Sequence, residues 1–460
     1  MTRTAMLKAE LDIWRAKWAD ADAIRARQQR RLADLVAFAR RRSGFYRRHH
    51  AGLPDTPASL GVLPTVTKPQ LMEQFDDVVT DPAITRSGVD AFLADRANIG
   101  RRYLGRYPVW TTSGTTGEPG VFVQDDFSLM LVHTVPDRWT TPALFHVATM
   151  RQLIANNRRF AEIAVAGGHF AGASGVELFR RESRSGGGRI RFFSATRPID
   201  DLVADLNDYR PAAVIGYSTV LRELARAQQE GRLAISPAMI VPTAEPITAA
   251  GKAQLREAFR CVVREMYSAT EAIPLATECR DGNLHANTDW FLLEPVDDAG
   301  HPVPPGLPSA TVLLTHLGNR LQPLIRYDLG DSIAMHPQPC SCGSAFPVIE
   351  VQGRQGDVLH FRFGTGRPTA VFPLALTGVV EAVPDVTRCQ IVRTGPSALE
   401  VRFDTKTGSD RAAAWDRIAR SLGGFLESQG LGDVRVELGT APLQRHPRSG
   451  KFRHVWTADG

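Results

Sequence analysis

The chain has 460 residues, of which 43% are hydrophobic and 23% are charged. This length exceeds one ordinary hydrophobic core and indicates roughly two to four domains. The net charge is +6, and no dense basic face or known motif predicts a nucleic-acid partner. No apolar run approaches the roughly twenty residues that cross a bilayer, and the five cysteines are spaced irregularly, unlike a secreted disulfide framework. We therefore expect a cytoplasmic protein without a nucleic-acid or membrane partner.

The opening of the chain is predicted to be helical. Apolar residues recur at helical spacing from residue 8 to about 50, and we assign residues 1–90 to a helical opening segment. The loop at 63–71 leads into another helix, and Pro69 suits the first turn of that helix. The apolar run V-W-T-T-S-G then predicts a strand that ends in a glycine-rich loop.

Strand-like and helix-like segments alternate from residue 129 to about 315. The predicted strands are 162–166, 212–215, 239–242 and 262–266, and the predicted helices are 219–229 and 249–259. Alternation of this kind is typical of an α/β fold with largely parallel sheets.

After Gly353 the pattern changes to a compact α+β unit of about a hundred residues, a common domain size. Helices are predicted at 373–381 and 411–428, and strands at 389–393, 399–403 and 434–437, before a basic tail. We predict a large domain at 1–355 and a small domain at 356–460.

The stretch W-T-T-S-G-T-T-G-E-P-G-V begins at Trp110. Its glycines let backbone N–H groups approach an anion, and its hydroxyl groups add donors for phosphate oxygens. It is not a Walker loop, because no Lys-Ser or Lys-Thr follows the last glycine. Taken alone, the stretch is more typical of a mobile surface loop, and the motifs that follow it favour the phosphate-binding interpretation. The candidate phosphate-binding residues are Ser113, Gly114, Thr115, Thr116 and Gly117.

Five further short stretches follow in a fixed order. They are P-T-A-E-P at 242–246, M-Y-S-A-T-E at 266–271, R-Y-D-L-G-D at 326–331, G-R-Q-G-D at 353–357 and P-R-S-G-K-F-R at 447–453. In this order the set resembles the adenylate-forming superfamily of acyl-CoA ligases, peptide-synthetase adenylation domains and luciferases. The stretches S-G-T-T-G-E-P, P-L-I-R-Y-D-L-G-D and C-S-C-G resemble its phenylacetate–CoA ligase and CapK-like branch.

The resemblance implies a large adenylation domain and a small mobile domain that carries a catalytic lysine. In acyl-adenylate formation a carboxylate attacks the α-phosphate of ATP, so two anions must be brought together and their charge neutralised. By resemblance Lys451 bridges the carboxylate and the α-phosphate, Glu271 binds Mg²⁺ and Thr115 contacts the phosphates. The resemblance also assigns Asp357 to the hinge between the two domains.

The nucleotide site is predicted from the same motifs. Tyr267 offers an aromatic face for adenine against the backbone of Ala244, Glu245 and Pro246. Asp331 can accept both ribose hydroxyl groups, and Arg354 can add a donor. From spacing alone, Tyr267 is equally compatible with a tyrosine of the hydrophobic core. Asp331 is likewise compatible with a residue that caps a turn. The predicted nucleotide set is completed by Ser268, Thr270 and Lys451.

The acyl pocket is predicted at A-G-G-H-F-A-G, 166–172, and I-G-Y-S-T, 215–219. By resemblance His169, Phe170 and Tyr217 shape it, although His169 can also be an ordinary packed histidine. The run G-Y-S-T-V is not a serine-hydrolase elbow, because Val220 stands where the second glycine is required.

A second metal site is suggested by two clusters. Cys340 and Cys342 form one pair, and Cys279 with His285 forms another just after the Tyr267 motif. Three thiolates and an imidazole are a recognised structural zinc set. The alternative is a group of reduced cysteines without metal.

Several positions depart from the ligases. Glu118 stands where a lysine is common, Ser268 where a glycine follows the tyrosine, and Asp328-Leu329 where Arg-Thr is usual. These differences favour the CapK-like side, whose members need not use CoA.

The predicted function is therefore ATP- and Mg²⁺-dependent activation of a carboxylic acid, preferably aromatic, with transfer to an acceptor, CoA first. An alternative is a CoA-independent amide-forming ligase or an adenylyl-transferring enzyme that uses an amine or another acceptor. A second alternative is a nucleotide-binding homologue without turnover, which the retention of its site carboxylates and Lys451 disfavours. The partners are small molecules, and a homodimer is compatible with the sequence.

Overall fold

The computed structural model describes residues 3–54, 59–112, 119–166, 168–183, 187–354, 357–362, 369–371, 373–444 and 452–458. Three large clusters of buried hydrophobic side chains organise these residues. One joins the opening helices to the later strands, one fills the α/β region, and one belongs to the carboxy-terminal part.

The opening segment is helical, but it is not one continuous helix. Its helices are α1 Arg3–Ala16, α2 Ala21–Arg42, α3 Gly44–His49, α4 Lys68–Glu73, α5 Phe75–Val78 and α6 Arg86–Ala94. The stretch from 8 to about 50 is helical as predicted, but it is divided, because Asp20 accepts a hydrogen bond from the Ala23 N–H (2.7 Å) and starts a new helix. Ser43 ends α2 and caps α3 in the same way. Pro69 lies in the first turn of α4, as predicted.

A short antiparallel hairpin carries the glycine-rich loop. Strand β1 Val109–Thr111 pairs with β2 Val121–Val123, and Thr111 lies opposite Val121. The predicted strand before the loop is therefore present.

The central part of the chain builds a ten-stranded sheet with helices around it. The helices are α7 Asp126–Leu144, α8 Val147–Ala155, α9 Ala171–Glu182, α10 Ile199–Tyr209, α11 Ser218–Gln229 and α12 Ala249–Phe259. The ten strands of this sheet are β3 Phe160–Ala164, β4 Ile190–Ser194, β5 Ala213–Tyr217, β6 Met239–Thr243, β7 Val262–Val263, β8 Met266–Ala269, β9 Ala272–Glu278, β10 Leu284–Ala286, β14 Asp331–Met335 and β15 Val348–Arg354. The strands between β10 and β14 in the chain are β11 Phe291–Val296, β12 Thr311–His316 and β13 Tyr327–Asp328.

The strand order of this sheet is β4-β3-β5-β6-β8-β9-β10-β15-β14, with β7 also paired to β6. Strands from β4 to β8 run parallel, as predicted for the α/β region, whereas the pairs from β8 to β14 are antiparallel. The predicted strand at 262–266 is two strands, because β7 and β8 pair with different residues of β6. Strands β11, β12 and β13 form a separate small sheet.

The carboxy-terminal part is a smaller unit with its own sheet and core. Its elements are β16 Leu359–Phe361, β17 Thr369–Val371, α13 Pro373–Glu381, β18 Val386–Gly395, β19 Ala398–Thr405, α14 Arg411–Ser428, β20 Arg435–Leu438 and β21 Val455–Thr457. Four of the strands pair in the order β20-β19-β18-β21. The predicted mixed fold with a separate small α+β unit is confirmed, while the boundary between 355 and 356 remains a prediction. None of the helices described here has the length and apolar character of a membrane span.

Candidate active site and metal centre

The predicted adenine loop follows β6. The Thr243 hydroxyl donates to the Met266 carbonyl (2.8 Å), so the ends of β6 and β8 are held together. Ala244 has a positive φ of 64°, a conformation that is uncommon for residues other than glycine and that clusters at functional sites. The backbone of Ala244, Glu245 and Pro246 thus turns sharply at the carboxyl end of a parallel strand, where ligands bind in such sheets.

Tyr267, Asp331 and Arg354 come together from three strands. The Tyr267 hydroxyl donates to Asp331 Oδ2 (2.6 Å), and Arg354 Nε lies 3.7 Å from Asp331 Oδ1. Asp331 and Arg354 face each other directly across β14 and β15. Burial, followed by the charge of Asp331, raises the pKa of Tyr267 well above its ordinary value. The structure therefore assembles the residues predicted for adenine and ribose.

Glu271 lies in the turn between β8 and β9, close to this group. Tyr327 donates from its hydroxyl to Glu271 Oε1 (3.0 Å), and burial raises the pKa of Glu271. A cation at this carboxylate would favour its ionised form. Tyr327 was not among the predicted site residues, although it stands inside the R-Y-D-L-G-D motif.

Two other residues of the M-Y-S-A-T-E motif precede Glu271: Ser268 lies in β8 and Thr270 in the turn. The Ser268 hydroxyl is buried and has no hydrogen-bond partner in the part of the chain that the structure describes. Thr270 is half-buried in the turn that follows β8. A buried polar group without a partner is costly, so a ligand that supplies one would fit at Ser268.

The ends of the predicted phosphate loop lie side by side. The Thr112 N–H donates to the Gly120 carbonyl (2.9 Å), and the Gly120 N–H donates to the Thr112 hydroxyl (2.7 Å). The predicted phosphate-binding residues Ser113, Gly114, Thr115, Thr116 and Gly117 lie outside the described residues.

The candidate acyl-pocket residues lie near the base of this loop. The carbonyl of His169 accepts from the Thr111 N–H (2.9 Å). His169 Nε2 is buried without a partner among the residues described, and burial lowers the pKa of the ring. Phe170 immediately precedes α9, and the Tyr217 hydroxyl accepts from the Val165 N–H (3.4 Å) at the end of β3. Their roles in substrate binding stay predictions.

The carboxy-terminal tail docks onto the adenine loop through Glu245. Glu245 Oε2 accepts from the N–H (3.0 Å) and the hydroxyl (2.7 Å) of Thr219. Glu245 Oε1 accepts from the N–H of Phe452 (2.9 Å). Phe452 directly follows Lys451, which lies outside the described residues. Sequence reasoning assigned only the backbone of Glu245 and missed its side chain, because its partner is 207 residues away.

Asp357, the predicted hinge residue, also contacts the tail. Arg453 Nε donates to Asp357 Oδ1 (2.9 Å). Burial raises the pKa of Asp357 although the charge of Arg453 opposes this shift. Two consecutive residues just before β21, Phe452 and Arg453, thus attach the tail to Glu245 and to Asp357.

Cys279, His285, Cys340 and Cys342 form one compact cluster, as the sequence predicts. Their ligand atoms all lie within 4.8 Å of one another. The sulfur atoms of Cys279 and Cys340 are 3.8 Å apart, and Cys342 Sγ is 3.3 Å from His285 Nε2. These separations suit the edges of a small tetrahedral site.

The surroundings of His285 prepare it as a ligand. Its Nδ1 lies 2.8 Å from the Phe346 carbonyl, so Nδ1 carries the proton and Nε2 is left free to face Cys342. The ring stacks on Trp139 at 4.8 Å between centroids. The cluster therefore fits a structural zinc ion.

Comparison with known proteins adds two relatives. Phenylacetate-coenzyme A ligase of Thermus thermophilus is 26% identical over 390 residues, 79% of this chain and 76% of that protein. Protein CapK of Staphylococcus aureus is 27% identical over 164 residues, 35% of this chain and 35% of CapK, so this chain spans only about a third of CapK's length. No protein-family model matches the chain.

A solved structure shares the fold over nearly the whole chain. 2-Hydroxyisobutyryl-CoA ligase, in the postadenylation state with 2-HIB-AMP, has a TM-score of 0.69 and 20% identity and covers 97% of this chain and 91% of its own. The same ligase in its thioesterification state has a TM-score of 0.54. These likenesses show that the fold is shared.

The similarity to phenylacetate-coenzyme A ligase supports an adenylate-forming enzyme, of the class of ATP-dependent acid ligases, and the solved structure shows the shared fold. Within that superfamily the two relatives support the branch of phenylacetate–CoA ligase and CapK, as the motifs predict.

Proposed function

We propose that the protein activates a carboxylic acid with ATP, through an acyl adenylate, and passes the acyl group to an acceptor, CoA first. The observation that carries this proposal is the meeting of Tyr267, Asp331 and Arg354 beside Glu271. The similarity to phenylacetate-coenzyme A ligase supports the choice of acceptor.

In this proposal each side chain has a distinct task. The ring of Tyr267 lies beside adenine, and Asp331 with Arg354 binds the ribose hydroxyl groups. Glu271 would hold Mg²⁺ together with phosphate oxygens and water, because magnesium prefers oxygen ligands and keeps several waters. Ser268 and Thr270 precede Glu271 in the same motif, and the hydroxyl-rich loop beyond Thr112 receives the phosphates.

The chemical step needs charge neutralisation. An oxygen of the substrate carboxylate attacks the α-phosphorus, the bond from that phosphorus to the bridging oxygen breaks, and pyrophosphate leaves. Lys451 supplies positive charge where negative charge grows. Its neighbour Phe452 is docked on the adenine loop, which supports this assignment.

For the acid we propose an aromatic compound. The His169 carbonyl accepts from Thr111 in the hairpin that bears the phosphate loop, and the Tyr217 hydroxyl accepts from Val165 at the end of β3. Phe170 would add an aromatic surface. We also propose domains at 1–355 and 356–460 and one structural zinc ion at the cysteine cluster.

A second candidate is transfer to an amine or another acceptor without CoA. The similarity to CapK and the departures at Glu118 and Ser268 favour it. The first half-reaction is the same in both cases.

The test is incubation with ATP and Mg²⁺ and a panel of aromatic and short aliphatic acids, with and without CoA. We expect pyrophosphate and AMP with at least one aromatic acid, and faster turnover with CoA. Stimulation by an amine instead of CoA identifies the second candidate. ATP binding without pyrophosphate for any acid contradicts the proposed activity. Lys451→Ala serves as the control and should lower ATP–pyrophosphate exchange at least about 100-fold.

A further inference from the structure

The loop between β6 and α12 contacts the carboxy-terminal unit with two side chains. Glu245 is only 8% exposed, and its two oxygens have different partners. Oε2 binds Thr219, which belongs to the same unit as Glu245, whereas Oε1 accepts from Phe452 in the tail. A carboxylate that accepts from backbone N–H groups makes stronger hydrogen bonds than a neutral acceptor.

The second contact lies three residues further along this loop. The Thr248 hydroxyl donates to Glu381 Oε2 (2.8 Å), and Arg222 donates to Glu381 Oε1 (2.7 Å) and to the Thr387 carbonyl (2.8 Å). These contacts are polar and directional. Polar interfaces between domains separate more readily than large apolar ones. We therefore expect the carboxy-terminal unit to move relative to the rest of the chain.

The Phe452 contact is specific to one arrangement of the units. Oε1 can hold the Phe452 N–H only while the tail lies over the adenine loop. The bond between Glu245 and Phe452 therefore marks the arrangement in which the tail that follows Lys451 is docked on the adenine loop.

We propose that Glu245 is a positioning residue that couples nucleotide binding to the docking of the lysine-bearing tail. This inference rests on the proposed function. The backbone of residues 244–246 contacts the adenine, while the side chain of Glu245 fixes the residue after Lys451. ATP binding that orders this loop thereby also orders the tail, and loss of the side chain uncouples the two events.

The first experiment measures hydrogen exchange by mass spectrometry in the wild type, Glu245→Ala and Glu245→Gln, with and without ATP·Mg²⁺. In the wild type, ATP should slow exchange in the peptide 452–458. In Glu245→Ala, exchange there should be about tenfold faster or more, and ATP should not slow it, since about 1.4 kcal/mol corresponds to tenfold. Glu245→Gln keeps one acceptor oxygen and should fall between the two.

The control is Glu230→Ala, which removes an exposed carboxylate at the end of α11 that pairs only with Arg232 among the residues described. It should match the wild type in this peptide. A Glu245→Ala protein that retains wild-type protection and wild-type response to ATP overturns the proposal. Thermal unfolding checks that the variants are folded, and Glu245→Gln, which has nearly the same volume, keeps the test valid if Glu245→Ala unfolds.

The second experiment separates the half-reactions, with phenylacetate as the probe acid or another panel acid that the wild type adenylates. We expect Glu245→Ala to lower the kcat of ATP–pyrophosphate exchange at least about tenfold, with less than about a threefold change in the KM for ATP. Transfer to CoA from chemically prepared acyl adenylate should stay within about twofold of the wild type. Equal losses in both half-reactions indicate a merely structural role and contradict the coupling. A wild type that adenylates no acid refutes the proposed function instead, and the exchange measurement still tests the docking contact.

Discussion

Asp331 illustrates how one residue can join several strands in the candidate nucleotide site. It accepts from the Tyr267 hydroxyl and faces Arg354 across two strands. Because its side chain is held on one oxygen by Tyr267, the carboxylate has a fixed orientation before any ligand arrives. A preorganised acceptor loses less entropy when it binds ribose.

Replacement of Asp331 by alanine should weaken nucleotide binding. Hydrogen bonds to a charged acceptor contribute about 1.5–3 kcal/mol, so we expect the KM for ATP to rise about tenfold or more. Titration with a fluorescent ATP analogue measures the same loss without turnover. Asp298→Ala, in the exposed turn after β11, is the matched control. Unchanged affinity in Asp331→Ala would remove this residue from the proposed site.

Glu162 is a carboxyl group on β3 that the proposed reaction does not use. It forms no ion pair or hydrogen bond with other residues in the described part of the chain, and burial raises its pKa to about 8. The folded state therefore holds a proton that the unfolded chain releases near its ordinary pKa of 4.5. Stability is lost as the pH rises between these two values, and the loss levels off above the folded-state pKa.

Glu162→Gln should remove this pH-dependent loss. The free energy of unfolding of the variant should exceed that of the wild type by an amount that grows by about 1 kcal/mol per pH unit between pH 5 and 8. Urea unfolding at several pH values measures it. Glu257→Gln, on the exposed face of α12, should show no such trend. A constant difference between Glu162→Gln and the wild type across this range would contradict the assignment.

At the scale of elements, the cysteine cluster joins two loops that are far apart in sequence. Cys279 follows β9, whereas Cys340 and Cys342 lie between β14 and β15. Because strands β9, β10, β15 and β14 are neighbours in one sheet, a bound ion would pin the ends of these strands together. Metal affinity at such a site is also folding free energy.

Cys342→Ser should therefore lose both metal and stability. We expect about one zinc per chain in the wild type by elemental analysis, far less in the variant, and a fall in melting temperature of at least about 5 °C. Cys261→Ser, outside the cluster, should keep its zinc. A wild type purified in the presence of zinc that nonetheless contains none would overturn this prediction.

The sequence predicted the bounds of helices best where capping residues next to the helix mark its ends. The bounds predicted for α12, α13 and α14 agree with the structure, and Thr248 and Asp410 cap the first and last of these with side-chain hydrogen bonds. The break before α2 was missed although Asp20 signals it, because the apolar period continues across it. The split between β7 and β8 depends on which residues of β6 each strand meets, and no local pattern carries that information.

In the candidate site, too, local motifs could be recognised in the sequence, whereas contacts between distant residues could not. Tyr267, Glu271, Asp331 and Arg354 could be named from motifs, since each motif is short and ordered. Tyr327 and Phe452 also stand inside motifs, but their contacts with Glu271 and Glu245 could not be predicted, because a motif does not say which distant residue it will meet. Such contacts follow from the sheet order and from the docking of the carboxy-terminal unit.

At the scale of the whole molecule, the two units meet through buried polar contacts. The side chain of Glu381 is only 2% exposed, and that of Arg222 is 11% exposed. Removal of one partner of a buried ion pair leaves an uncompensated charge and costs about 3–5 kcal/mol. If Arg222 is removed, the carboxylate of Glu381 can be hydrated again when the two units separate.

Arg222→Ala should consequently favour the undocked arrangement. Small-angle scattering should show a larger radius of gyration than for the wild type, and hydrogen exchange should increase in α13. Arg232→Ala, whose exposed side chain pairs with Glu230 and Asp200, should leave both unchanged. Identical scattering curves for Arg222→Ala and the wild type would show that this ion pair does not hold the units together.

Strand β9 connects the two proposed metal sites directly. It begins at Ala272, next to Glu271, and ends at Glu278, next to Cys279. Thiolates that hold zinc are open to attack by peroxide once the ion leaves, and the resulting sulfenic acids no longer bind it. Oxidative damage at one end of β9 would then loosen the strand whose other end presents the proposed magnesium ligand. Under the proposed function, acid activation would therefore be sensitive to oxidants at a site outside the predicted nucleotide residues.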